Sequence, residues 1–158
     1  MKYPGLTLAG ATLATLLATA PALGASEEGF WYLQGSVFTR HFASNGNYNN
    51  HQDLLGLERN QASGLIMGGA AFRNSFSQRS EYAYIGKRFD VPDSAVYYKL
   101  SAGLIHGYRG KYRDKLPLNR FGVAPAVIPA IGAHWGPVAA EAVLLGLAAT
   151  MVNVGLRF

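Results

Sequence analysis

Cysteine is absent from all 158 residues. That excludes a disulfide framework, thiol chemistry and a lipid-modified cysteine anchor. Charge is also scarce. Only 15% of residues are Asp, Glu, Lys or Arg, where a soluble domain carries about a quarter. Repeats, heptads and low-complexity tracts are missing from the body of the chain. A helical membrane span is missing too. The stretch 121–156 holds one charge, Glu141, but Pro125, Pro129 and Pro137 interrupt it beside Gly122, Gly132 and Gly136. A membrane helix tolerates a lone proline, not this density. The four histidines show no metal-ligand spacing, so no metal and no dissociable cofactor is expected. Basic residues give a formal charge of +5, yet they are scattered singly. No basic stripe points to nucleic acid, and phosphate-rich lipid head groups fit the charge better.

What is present starts with a targeting signal. Lys2 precedes an apolar run from Leu6 to Ala20, Pro21 breaks it, and small residues stand at Ala22 and Gly24. This pattern predicts a signal peptide over 1–24, cut before Ala25. The alternative, an uncleaved anchor, has an apolar run that is short for a span. The remaining residues, 25–158, suffice for one domain.

Short alternating segments then dominate. Val152, Val154, Leu156 and Phe158 share one face, with Asn153, Gly155 and Arg157 on the other. Val96, Tyr98, Leu100, Ala102 and Leu104 likewise oppose Tyr97, Lys99, Ser101 and Gly103. In an outer-membrane strand the apolar set faces lipid and the other set faces the lumen. The terminal Phe158 on the lipid face is a familiar ending for such barrels. Eight such segments fall near 30–41, 53–60, 64–74, 79–89, 95–108, 120–133, 137–145 and 149–158. The expected fold is all-β: an eight-stranded antiparallel outer-membrane β-barrel, monomeric, with its N-terminus periplasmic. External connections then fall near 42–52, 75–78, 109–119 and 146–148. A barrel of this size is filled by side chains or holds one small ligand.

Polar residues collect at the external ends of strands. His41 closes the first and Asn74-Ser75 the third, so an up-and-down barrel brings them to one rim. A histidine beside a serine can act as general base for acyl transfer; a polar rim in contact with water and lipopolysaccharide is the plainer reading. On the fourth strand Tyr82, Tyr84 and Gly86 face inward, opposite Ala83, Ile85 and Phe89. An inward glycine leaves space, or else permits close strand packing and curvature. Glu141 shares the inward face of the seventh strand with Ala139 and Val143, and needs a partner such as Lys99 or Arg157. Pro125 and Pro129 lack amide donors and weaken the ladder of the sixth strand. They either open a lateral route for a lipid tail or mark a local bulge.

Several of these residues keep order and spacing with a known family. Phe72-Arg73-Asn74-Ser75-Phe76 resembles an aromatic-Lys-Asp-Ser-aromatic motif, with Asn74 in place of the aspartate. His41 stands where that family has a histidine, and Tyr48-Asn49 resembles a Tyr-Asn in the same loop. Ala124-Pro125-Ala126-Val127-Ile128-Pro129 and Gly136-Pro137-Val138 match a Pro-x-x-x-Pro and a Gly-Pro-Val. The chain thus resembles the lipid A palmitoyltransferase (PagP) family. The resemblance implies transfer of a palmitoyl chain from a phospholipid donor to lipid A in lipopolysaccharide, with His41, Ser75 and Asn74 at the reacting centre. It also implies an internal acyl pocket whose floor is Gly86, with Tyr82 and Tyr84 in its wall. The family's leading amphipathic helix is missing, the first external loop is shorter, and Leu145 replaces a proline tied to lateral lipid access. With the aspartate replaced, Asp53 or Asp114 is a candidate acid and His51 a rival base.

Two other functions compete. A lipid A deacylase resembles a His-x-Ser-Asn arrangement, but His41-Phe42-Ala43-Ser44-Asn45 carries one residue too many for that spacing. The other is a non-catalytic barrel that binds lipid or stabilises the envelope.

Overall fold

A computed structural model describes residues 29–43 and 46–158. The expected signal peptide over 1–24, and the Ser44-Asn45 pair of the deacylase comparison, lie outside the described residues. The described chain closes into one barrel of eight antiparallel strands, each paired with its sequence neighbour. These are β1 (Phe30–His41), β2 (Leu55–Asn60), β3 (Leu65–Arg73), β4 (Arg79–Asp90), β5 (Val96–His106), β6 (Val123–Trp135), β7 (Val138–Leu145) and β8 (Ala149–Arg157). β1 against β8 closes the ring. A short 3₁₀ helix, η1 (Gly110–Lys115), sits in the connection between β5 and β6. One end of the barrel carries the longer connections, after β1 and β5. The other has tight turns, such as Gly136-Pro137 between β6 and β7, where Gly136 adopts φ +57° as the first residue of a two-residue hairpin turn requires.

The alternation is turned inside out relative to a soluble barrel. Leu57, Ile85, Leu100, Leu104, Val127 and Leu156 stand exposed on the outside, whereas Glu58, Lys99, Glu141, Asn153 and Arg157 are buried within. A continuous apolar exterior around a polar interior is the pattern of an outer-membrane-type barrel. The two faces of β5 and β8 divide as their sequences predict.

One irregularity was not legible in the sequence. Ser36 pairs with Asn153 while Phe38 pairs with Val152, so β1 carries one extra residue at Val37. Val37 and Phe38 both point outward. Before this bulge Tyr32 and Gln34 face the lumen; after it Thr39 and His41 do. Because side chains alternate strictly along a strand, a regular β1 containing Tyr32 inside would place His41 outside.

The lower half of the lumen, toward the tight turns, is solid. Lys99 Nζ lies 2.8 Å from Glu141 Oε1 and 2.9 Å from Glu58 Oε2. Tyr97 donates to Glu141 at 2.9 Å, and Tyr84 to Glu58 at 2.8 Å. Asn60 donates to the other oxygen of Glu58 at 2.9 Å. Glu141 therefore pairs with Lys99, while the Arg157 guanidinium lies over the Phe30 ring, 4.2 Å from its centroid. Buried charges persist only when paired and hydrogen-bonded, and this cluster meets both conditions. Above it the lumen is hollow.

Candidate active site

His41 and Ser75 meet at the rim. His41 Nε2 lies 2.8 Å from Ser75 Oγ, and His41 Nδ1 lies 2.9 Å from Asn50 Oδ1. With Asn50 accepting from Nδ1–H, the neutral ring presents Nε2 as acceptor for the serine hydroxyl. That is the tautomer a general base needs.

The chain after His41 builds this contact. Residues 48–54 run between β1 and β3 as an irregular continuation of β2. Thr39 donates to Asn50 O and Ser36 to Leu54 O on one side, both at 3.2 Å. On the other, Asn49 N–H donates to Ser75 O at 2.9 Å and Arg73 N–H to Gln52 O at 2.7 Å. Asp53, at φ +45°, interrupts the regular strand, which is why β2 starts at Leu55 rather than at 53. Tyr48 stacks on His41 with centroids 4.6 Å apart, and Phe76 stacks on Tyr112 at 4.0 Å. Tyr48 meets Phe76 edge-on at 6.0 Å, so His41, Tyr48, Phe76 and Tyr112 form a continuous row of rings at this rim. Gln78 ties the β5–β6 connection to the same turn, accepting from Arg109 N–H at 3.1 Å and donating to its carbonyl at 3.2 Å.

Asn74 corrects the sequence expectation. It is fully buried, and its Oδ1 accepts from the amides of Phe76 at 2.9 Å and Gln78 at 3.0 Å. Its Nδ2 donates to Ser80 Oγ at 3.1 Å. The side chain is spent on the β3–β4 turn and does not orient His41; Asn50 holds that position. Neither candidate acid replaces it. Asp53 and Asp114 are exposed, and the second nitrogen of His41 is already occupied. His51 is exposed as well. Asn50 was missed because a loop of consecutive polar residues offers no periodicity from which one partner can be chosen.

Below the pair lies a cavity of about 560 Å³, lined by Ser75, His41, Tyr82 and Tyr84 among others. Tyr82 stacks on Tyr84 at 4.8 Å and shares a hydrogen bond with Ser101 at 3.1 Å. The floor is the Glu58–Lys99–Glu141 cluster. Gly86 does not line this cavity. A Cβ there would run into the carbonyl oxygen of Leu100 and lie 2.8 Å from Ser101 Cα. Its glycine serves close backbone approach and strand curvature, not the depth of a pocket. Gly103 and Gly155, also facing inward, meet their neighbouring strands in the same way.

The cavity also reaches the barrel wall. β6 pairs with β5 over eleven residues, from Val96↔Ala133 to His106↔Val123. With β7 it pairs only from Trp135↔Val138 to Ala130↔Val143. His134 N–H donates toward β5, to Ala95 O at 3.1 Å. Alternation therefore turns the nitrogens of the odd-numbered residues toward β7, Pro125 and Pro129 included. The next hydrogen-bonded pair in register would join Pro129 to Leu144, and proline has no proton to give. The ladder stops there. Cavity-lining residues flank the open seam on both sides, Val127 and Ile128 from β6 and Leu145 and Leu147 from β7 and the turn after it.

Tyr108, just past β5, also lines the cavity. Burial pushes its hydroxyl above the ordinary tyrosine range, and a hydrogen-bonding interaction with Ser75 pulls the other way. Among the described residues, no three His, Asp or Glu side chains assemble as a metal site.

No family model matches the chain, and no curated protein matches it significantly. Solved barrels do. The outer membrane protein Ail of Yersinia pestis is 14% identical, covering 83% of this chain and 100% of its own, with a TM-score of 0.43. The N-terminal β-barrel domain of Pseudomonas aeruginosa OprF is 17% identical, covering 83% and 98%, with a TM-score of 0.44.

Proposed function

We propose that this protein is an outer-membrane acyltransferase that moves a palmitoyl chain from a phospholipid to lipid A. The observation that carries the reading is the Ser75–His41–Asn50 relay at the mouth of the cavity, with contacts of 2.8 and 2.9 Å. The apolar exterior supports a place in the membrane, and the seam beside Pro129 supports lateral access for a lipid tail.

In this mechanism Ser75 Oγ attacks the ester carbonyl of the donor as its proton passes to His41 Nε2. The carbonyl electron pair moves onto oxygen. On collapse, the bond to the glycerol oxygen breaks and the leaving alkoxide takes the proton from His41. The acyl-serine is then attacked by a lipid A hydroxyl, whose proton follows the same route through His41 back to Ser75. Asn50 holds the imidazole in the required tautomer.

Mass spectrometry of lipid A from cells with and without the gene tests the reading. A gain of one palmitoyl mass only in its presence is expected. Ser75→Ala and His41→Ala should each lower transfer by about 10²- to 10⁴-fold while leaving a folded barrel. Wild-type rates in both variants would refute the assignment. Loss of an acyl chain would identify a deacylase, in which water replaces the acceptor hydroxyl. Unchanged lipid A under several envelope stresses would identify a non-catalytic barrel.

A further inference from the structure

Acyl transfer at a serine needs donors for the oxyanion that forms when the carbonyl is attacked. The usual source, backbone amides just after the nucleophile, is occupied here. Phe76 and Gln78 N–H donate to Asn74 Oδ1 at 2.9 and 3.0 Å, and Ser77 N–H donates to Asn74 O at 2.9 Å. The turn that presents Ser75 has spent its amides on its own geometry.

A different group is free. Gln52 is only 3% exposed and lines the cavity together with Ser75 and His41. Its backbone carbonyl is fixed by Arg73 N–H at 2.7 Å, two residues before the serine. Among the described residues nothing hydrogen-bonds its side-chain amide, and it is not one of those with a further partner. The amide is not among the sealed-off polar atoms left without a partner, so it keeps contact with the cavity, where a ligand can accept its hydrogen bonds.

We propose that Gln52 is the oxyanion donor of this site, its Nε2–H groups binding the carbonyl oxygen of the acyl ester as Ser75 adds to it. The ligand class is therefore a carboxylic ester whose carbonyl sits between Ser75 and Gln52. Tyr108 lines the same cavity as Ser75 and Gln52. This inference rests on Ser75 being the nucleophile, so the test separates the two.

The test uses the full chain refolded in detergent micelles and a long-chain alkyl fluorophosphonate. Ser75 Oγ attacks phosphorus, fluoride leaves, the serine proton passes to His41, and the phosphoryl oxygen occupies the oxyanion position. Labelling is followed by intact-protein mass. Gln52→Leu, close in volume but unable to donate, should slow labelling about 10²- to 10³-fold, and Gln52→Glu at least as much. Transfer to lipid A should lose kcat by a similar factor with KM nearly unchanged. Peptide-resolved modification of His41 by diethylpyrocarbonate should match the parent, which a collapsed site would not allow. Parent-like labelling in Gln52→Leu, with Ser75→Ala unlabelled, would overturn the oxyanion role and leave the nucleophile standing. Labelling that persists in Ser75→Ala would overturn the nucleophile itself, and the Gln52 role with it.

Discussion

Replacing Lys99 with methionine removes the one cation between two buried carboxylates. Lys99 Nζ reaches Glu141 at 2.8 and 3.1 Å and Glu58 at 2.9 Å, and the two glutamates are 3% and 1% exposed. Methionine keeps the apolar stem and most of the volume, so little cavity forms. What remains is a pair of like charges in the lumen, with only Tyr84, Tyr97 and Asn60 as donors among the described residues. Breaking a buried ion pair by deleting one partner costs about 3–5 kcal/mol. For a chain of this size that corresponds to a fall in Tm of roughly 10–20 °C. The assay is loss of the compact electrophoretic form on heating, paired with urea titration in the same detergent. The combined variant Lys99→Met, Glu58→Gln, Glu141→Gln should recover most of the loss, because it strands no charge. A single variant within about 0.5 kcal/mol of the parent, or a combined variant no better than the single one, would refute this account of the lumen.

Two further perturbations address the wall and the glycine. Pro129→Ala restores a donor facing Leu144, so the β6–β7 ladder should extend past Ala130. Transfer from phospholipid should slow while fluorophosphonate labelling in micelles stays at the parent rate; equal loss of both would show a general defect instead of a closed seam. Gly86→Ala places a Cβ against the Leu100 carbonyl and should destabilise the barrel by about 1–3 kcal/mol, with acyl-chain preference unchanged in the folded fraction. A shift toward shorter chains, read by mass spectrometry of the product, would restore Gly86 as a measure of chain length.

The strands were legible because lipid and lumen impose opposite demands on successive residues. Wherever one face meets hydrocarbon and the other a narrow polar interior, period two is written plainly, as in 96–104 and 152–158. Strand ends were less legible. β2 starts at Leu55 because Asp53 adopts a left-handed conformation, and a single aspartate in a polar stretch does not announce that. The bulge at Val37 is harder still. In Gly35-Ser36-Val37-Phe38-Thr39 two adjacent apolar residues break the alternation, yet the same letters suit a regular strand with one small residue misplaced. What selects the bulge is closure against β8, where Ser36 meets Asn153 and Phe38 meets Val152. That constraint joins residues more than a hundred positions apart.

The same long reach explains the site. His41 and Ser75 stand out because their side chains carry chemistry and the up-and-down order brings both to one rim. Choosing the asparagine is a different problem. Asn74 adjoins the serine in sequence, but adjacency along a strand end favours bonding to the local turn, and its amide is consumed by Phe76, Gln78 and Ser80. Asn50 lies nine residues from His41 and reaches it only because residues 48–54 are clamped between β1 and β3 by backbone bonds. Gln52 follows from the same clamp. With Asn50 O bound to Thr39 and Gln52 O bound to Arg73, the segment sits as an irregular strand, and its side chains are dealt to the histidine and to the cavity in turn. The local order Asn50-His51-Gln52 therefore sends its first residue to His41, its third to the cavity and His51 to solvent. No list of residue chemistries would rank them that way, because a free histidine is the more reactive group. Backbone geometry decides which of the three can act.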